Sequence, residues 1–206
     1  MLPLRDDNPS HIFPIVAWGL IALNIAVFIW EILLTAQTIL EISLTYGFIP
    51  VRGIQYGIIT SMFIHNDPIH LVGNMLYLYI FGDNIEDACG HLRFLIFYII
   101  CGVGASLLMM FIDPMTDIPL IGASGAISGV LGGYIVLYPR ARIRTAIISL
   151  GFIQLVYLPA FLTIGFWFVL QMLYAWAGVF TGVAYWAHIG GFITGLILIR
   201  LLANRD

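Results

Sequence analysis

Residues 92–112 contain one charged side chain, Arg93, in a run otherwise apolar and long enough to cross a bilayer. Similar segments recur near 12–34, 69–87, 123–139, 159–178 and 183–202. This pattern predicts six membrane helices, because a spanning helix needs on the order of 20 predominantly apolar residues. Composition leaves little alternative. Only 9% of the 206 residues are charged, against about 25% in soluble domains, and the mean hydropathy is +1.02. No soluble fold of this size could hide so much apolar surface, so the bilayer must be its solvent. The expected fold is all-α: a polytopic six-helix bundle forming one membrane domain over residues 1–206.

The stretch 143–158 is apolar but interrupted by Gly151, Gln154 and, just beyond it, Pro159. It is expected as an interfacial or partly buried segment leading into the fifth span, because three arginines stand just before it. Arginine placement orients the bundle. With six spans, Arg5, Arg93, Arg140, Arg142, Arg144, Arg200 and Arg205 lie on one side and only Arg52 on the other. Both termini are therefore expected in the cytoplasm. The segment 35–68 and the turns near 113–121 and 178–182 then face outward. Met1–Ser10 is short and polar and does not read as a cleaved signal peptide. Cys89 and Cys101 are read as packing residues. There is no lysine and the net charge is −3, so no basic patch supports nucleic-acid binding.

Against this background a few polar residues stand out. Ser124, in Gly122-Ala123-Ser124-Gly125, opens the fourth span from its outer end. Free N–H groups and a partial positive charge at a helix N-terminus favour a developing oxyanion. His188 lies about five residues, or roughly 7 Å, into the sixth span from the same side. Serine and histidine thus reach similar depth, and together they are the raw material of acyl transfer. Packing accounts for part of the same pattern. Gly125, Gly129 and Gly133 form a small-residue face, and Gly191 and Gly195 form a matching one, so the two helices can meet closely without any chemistry.

His70 and Asn74 share a face at the start of the second span. Both can donate to an oxyanion; taken alone, they are better read as interhelical glue. His65 is expected to brace the outer segment. A metal site of His65, His70, His188 and Asp67 is a rival arrangement, though no H-E-x-x-H motif is present. After Asp117 the only carboxylate is Asp206, so Ser124 and His188 would act as a dyad, with something other than aspartate fixing the imidazole tautomer.

Taken together these residues resemble the rhomboid intramembrane serine proteases. The match runs from Phe63-Ile64-His65 and His70-Leu71-Val72-Gly73-Asn74-Met75, through Gly82-x-x-x-Glu86-x-x-x-Gly90 and Gly122-Ala123-Ser124-Gly125, to Ala187-His188-Ile189-Gly190-Gly191. The resemblance implies a six-helix bundle with a water-filled cavity open to the non-cytoplasmic side. It implies Ser124 as nucleophile and His188 as general base. His70, Asn74 and the Ser124 N–H would form the oxyanion hole. It also implies transmembrane protein segments as substrates, no metal or organic cofactor, and residence in a membrane, here expected to be a bacterial plasma membrane. Many relatives carry an aromatic residue one turn after the nucleophile that stacks on the histidine; here that position is Ser128. Another aromatic, a hydrogen bond or tight packing must then orient His188. The Trp-Arg pair of the first outer loop in some relatives is absent, with Val51-Arg52 in a similar place. Two other functions are compatible with such a chain: an inactive relative that binds transmembrane clients, and a small transporter, for which no inverted internal repeat is visible.

Overall fold

The computed structural model describes residues 1–149, 152–179 and 181–204. Gly151, Arg205 and Asp206 lie outside the described residues. All six apolar segments are helices: α1 (Ile15–Glu31), α4 (Pro68–Cys89), α5 (His91–Ile112), α6 (Ser124–Leu137), α7 (Ala160–Trp176) and α8 (Tyr185–Leu202). Two further helices, α2 (Ala36–Tyr46) and α3 (Gly57–Thr60), fold within the segment between α1 and α4. By length and composition α5 and α8 are each sufficient to cross a membrane.

Helix boundaries follow local chemistry. Asp67 caps α4, its carboxylate accepting the His70 N–H at 2.8 Å, and Pro68 occupies the first turn, where its missing N–H costs nothing. Gly90, at φ +77°, ends α4 and turns the chain directly into α5. The first turn of α1 has no cap of its own. Its Val16 and Ala17 N–H groups donate instead to Glu86, a fully buried carboxylate of α4, at 2.9 and 2.7 Å. Glu86 also bonds His91 Nδ1. One acidic side chain thus ties together the ends of three helices.

The predicted glycine faces do meet. A Cβ on Gly191 would collide with the Gly125 carbonyl oxygen, and one on Gly195 with that of Gly129. Backbone-to-backbone approach of α6 and α8 therefore depends on these glycines. Phe81, Phe94, Phe97, Tyr98 and Tyr134 fill the adjoining core with no exposure. Cys89 and Cys101 are free and buried on successive helices. The outer surface, by contrast, displays large apolar side chains such as Phe111, Leu33 and Trp176.

The chain is mostly helical, but an all-α description is incomplete. Residues expected only as an interfacial segment form a hairpin, β2 (Arg142–Ser149) and β3 (Phe152–Pro159). The polar N-terminal stretch adds β1 (Leu2–Asp6), giving an antiparallel sheet of order β1-β2-β3. Leu2 pairs with Ala146, Arg5 with Arg144, and Arg144 with Tyr157. Half of the 16 strand residues of the hairpin are β-branched or aromatic, types that suit a pleated surface better than a helix. The sheet is anchored where Tyr134, near the end of α6, donates a 2.6 Å hydrogen bond to Asp6.

Candidate active site

Ser124 is the first residue of α6, and α6 begins immediately after a tight loop. Gly122 sits at φ +105°, a conformation that L side chains avoid, and its N–H donates to the Ser61 carbonyl at 2.8 Å. Phe48 and Leu120 exchange backbone hydrogen bonds of 3.0 and 2.8 Å, so the outer segment is stitched to the approach to Ser124. As N1 of the helix, Ser124 has a backbone N–H with no intrahelical partner.

His188, one turn into α8, points its Nε2 at Ser124 Oγ, 2.8 Å away. Both residues are half-buried. The other ring nitrogen, Nδ1, faces Gln171 Oε1 of α7 at 2.9 Å. A carbonyl oxygen only accepts, so Nδ1 carries the proton and Nε2 is left to accept from the serine hydroxyl. Trp167, one turn before Gln171, lies 6.0 Å from the His188 ring, centroid to centroid, tilted by 31°. Ser128, one turn after Ser124, plays a different part: its Oγ donates back to the Ser124 carbonyl at 2.6 Å. Orientation of the imidazole thus comes from α7, by an amide acceptor and an aromatic ring. Gln171 was not among the residues singled out from sequence; a lone amide within an apolar span was the available signal.

His70 and Asn74 converge on the same loop. A Cβ placed on Gly122 would lie 2.6 Å from His70 Cε1 and Nε2 and 3.5 Å from Asn74 Nδ2. Asn74 Nδ2 also meets His65 Nε2 at 3.0 Å. Burial, and secondarily the neighbouring His70, hold His65 down to about 4, so it is neutral and accepts from the amide. Asn74 keeps a second N–H for another acceptor. His65 therefore braces Asn74 more directly than it braces the outer segment, although its backbone N–H also reaches Glu31 at 3.4 Å. The rival metal cluster is not assembled: among the described residues no three ligating side chains converge, and both nitrogens of His188 are engaged. Arg52 donates to the Leu44 carbonyl at 2.5 Å, fixing the turn after α2.

A profile of the Rhomboid domain matches residues 52–205. The chain belongs to the rhomboid family. It is 32% identical over 149 residues to RHOMBOID-like protein 4 of Arabidopsis thaliana, covering 72% of this chain and 34% of that protein. It is 29% identical over 190 residues to Rhomboid-like protein 11, chloroplastic, of the same plant, covering 85% and 65%. Rhomboid protease AarA of Providencia stuartii is 30% identical over 143 residues, covering 57% of this chain and 48% of that protein. The rhomboid chain thus spans roughly a third to two thirds of the length of these relatives. As a rhomboid it is an integral membrane protein, which accounts for its apolar exterior.

Proposed function

We propose that this rhomboid is an intramembrane serine endopeptidase that cuts transmembrane segments of other proteins with a Ser124–His188 dyad. The observation that carries this is the hydrogen-bonded chain Ser124 Oγ, His188 Nε2, His188 Nδ1, Gln171 Oε1, with separations of 2.8 and 2.9 Å. It has the logic of a triad, a nucleophile, a base and an orienting acceptor. The third member is a neutral amide.

Ser124 Oγ attacks the scissile carbonyl carbon as its proton passes to His188 Nε2. The negative charge moves to the carbonyl oxygen, where the Ser124 N–H, Asn74 Nδ2 and His70 supply donors. Collapse of this tetrahedral species breaks the C–N bond, and His188 returns the proton to the leaving amine. Water then repeats the sequence on the acyl-enzyme, with His188 again the base, and releases the carboxylate product. The substrate helix must unwind locally first, since an intact helix keeps its carbonyls bonded.

Six crossings, α1 and α4–α8, and a site open to the non-cytoplasmic face complete the proposal. With 14 residues, α6 is only about 21 Å long, short of a hydrocarbon core about 30 Å thick. Its first residue is thereby set below the membrane surface, where a cavity can bring water to Ser124. Arg93, Arg142, Arg144 and Arg200 lie at the opposite end of the bundle from Ser124, as expected of a cytoplasmic face. A bacterial plasma membrane is the proposed location.

The test is fluorophosphonate labelling of the detergent-solubilised protein, beside Ser124→Ala and His188→Ala. Labelling of the wild type that vanishes in both variants is expected. A folded wild type that fails to label would overturn the protease reading and leave a client-binding rhomboid in its place.

A further inference from the structure

At the end of the bundle opposite Ser124 lies a cavity of about 790 Å³, between the sheet and the helices α1 and α4. That volume falls within the range of about 300–1,000 Å³ typical of small-molecule sites. One wall is a cross-strand row. Arg5 pairs with Arg144, and Arg144 with Tyr157, so the three side chains share a face. Two guanidinium groups directly opposite each other repel unless an anion lies between them. Among the described residues neither arginine makes an ion pair or donates a side-chain hydrogen bond. Of the nearby carboxylates, Asp6 accepts from Tyr134, and Asp7 is engaged through Oδ1 alone, by the Arg142 backbone N–H.

The lining also carries the carboxylates Asp7 and Asp83. The wall facing the sheet is apolar, with Ile21 and Ile80 beside Trp18 and Tyr79. The last two rings pack edge to face at 5.6 Å and are 45% and 55% exposed on the outer surface of the bundle. Trp and Tyr so placed sit at the membrane–water boundary. The lining thus carries both signs of charge and reaches exposed aromatic rings on the outer surface of the bundle.

We propose that this cavity binds a phospholipid bearing a primary-amine headgroup, its phosphate between Arg5 and Arg144 and its ammonium toward Asp7 and Asp83. A phosphate oxygen suits paired guanidinium donors. A protonated amine donates up to three hydrogen bonds to the carboxylates, which a quaternary choline cannot do. A headgroup with net negative charge would meet Asp7 and Asp83 without compensation. The acyl chains leave along Trp18 and Tyr79, which a soluble phosphate ester cannot exploit.

The experiment is native mass spectrometry of the delipidated full chain with phosphatidylethanolamine, phosphatidylglycerol and phosphatidylcholine of identical chains, and with tail-less glycerophosphoethanolamine. Retention of phosphatidylethanolamine by about fivefold or more over the other two lipids is expected. The double variant Arg5→Gln, Arg144→Gln should lose that preference while its delipidated form melts no lower than wild type, because a repulsion has been removed. Equal retention of the three lipids by the wild type overturns the proposal, whatever the variants do. Glycerophosphoethanolamine bound as tightly as the lipid overturns it too, pointing to a soluble phosphate instead.

Discussion

Gln171→Met removes the amide oxygen that faces His188 Nδ1 and keeps an unbranched side chain of nearly the same length. The bond is 2.9 Å long and Gln171 is 8% exposed, so water cannot simply take its place. A buried donor left without a partner costs about 1–3 kcal/mol. If that cost falls on the tautomer with Nδ1 protonated, kcat drops about 5- to 150-fold. An aspartate in the same place in a serine protease contributes about 10⁴; its full charge also stabilises the imidazolium more than an amide dipole can. Cleavage of a fluorogenic transmembrane peptide in detergent, with kcat and KM separated, reads the effect; KM should hardly move. Gln171→Glu is the complementary probe. It keeps an acceptor and adds a negative charge that favours the protonated imidazole. The base is then lost to protonation sooner on acidification, so the acid limb of kcat/KM moves to higher pH. A Gln171→Met enzyme within twofold of wild type and with an unchanged pH profile would refute this role for Gln171.

Asn74→Ala should lower kcat by the equivalent of roughly 3 kcal/mol if its amide serves the oxyanion, with fluorophosphonate labelling slowed in parallel; an unchanged rate would assign Asn74 to packing against His65. Gly195→Ala drives a Cβ into the Gly129 carbonyl oxygen, so the thermal midpoint should fall in keeping with about 1–3 kcal/mol of overpacking, and labelling should weaken as α6 and α8 separate. Asp6, in the sheet, is raised to about 6, chiefly by burial. A raised folded-state pKa gives stability that is fully present below the unfolded value of 3.8 and is lost as pH rises through about 6. Asp6→Asn should therefore flatten the dependence of the thermal midpoint on pH between about 4 and 7; an identical slope in both proteins would exclude Asp6 as its source.

What could be read from the sequence was whatever depends on one segment at a time. The helices lie within a few residues of the apolar runs, because hydropathy and length fix a membrane helix almost alone. Ser124 and His188 stood out because a hydroxyl at the start of one apolar run and an imidazole inside another are out of place, and the glycine faces because their period is helical. The sheet escaped because its strands come from far apart: Leu2 must find Ala146, a pairing that no local pattern reveals. Within 143–158, a short apolar run with Ile and Val fits strand or buried helix equally on periodicity. Gln171 escaped for a related reason, since its partner lies 17 positions downstream on the next helix. The missing aromatic at Ser128 did announce that another group must hold His188. The direction from which it came, α7, is a tertiary fact.

Trp167 and Gln171 ride on the same helix, and α7 carries many apolar side chains outward, among them Phe166, Val169, Met172 and Leu173. The histidine is therefore aimed by a single helix with an exposed apolar face, and not by the glycine-locked pair α6 and α8 that carries Ser124 and His188. Moving α7 aside by even 1 Å would stretch the 2.9 Å bond beyond the usual range for a hydrogen bond and withdraw the tryptophan with it. Ser124 and His188 would stay side by side while the tautomer that joins them lost its guarantor. Position of one helix and tautomer of the imidazole are in this way a single variable, and whatever in the surroundings of α7 sets the first also sets the second.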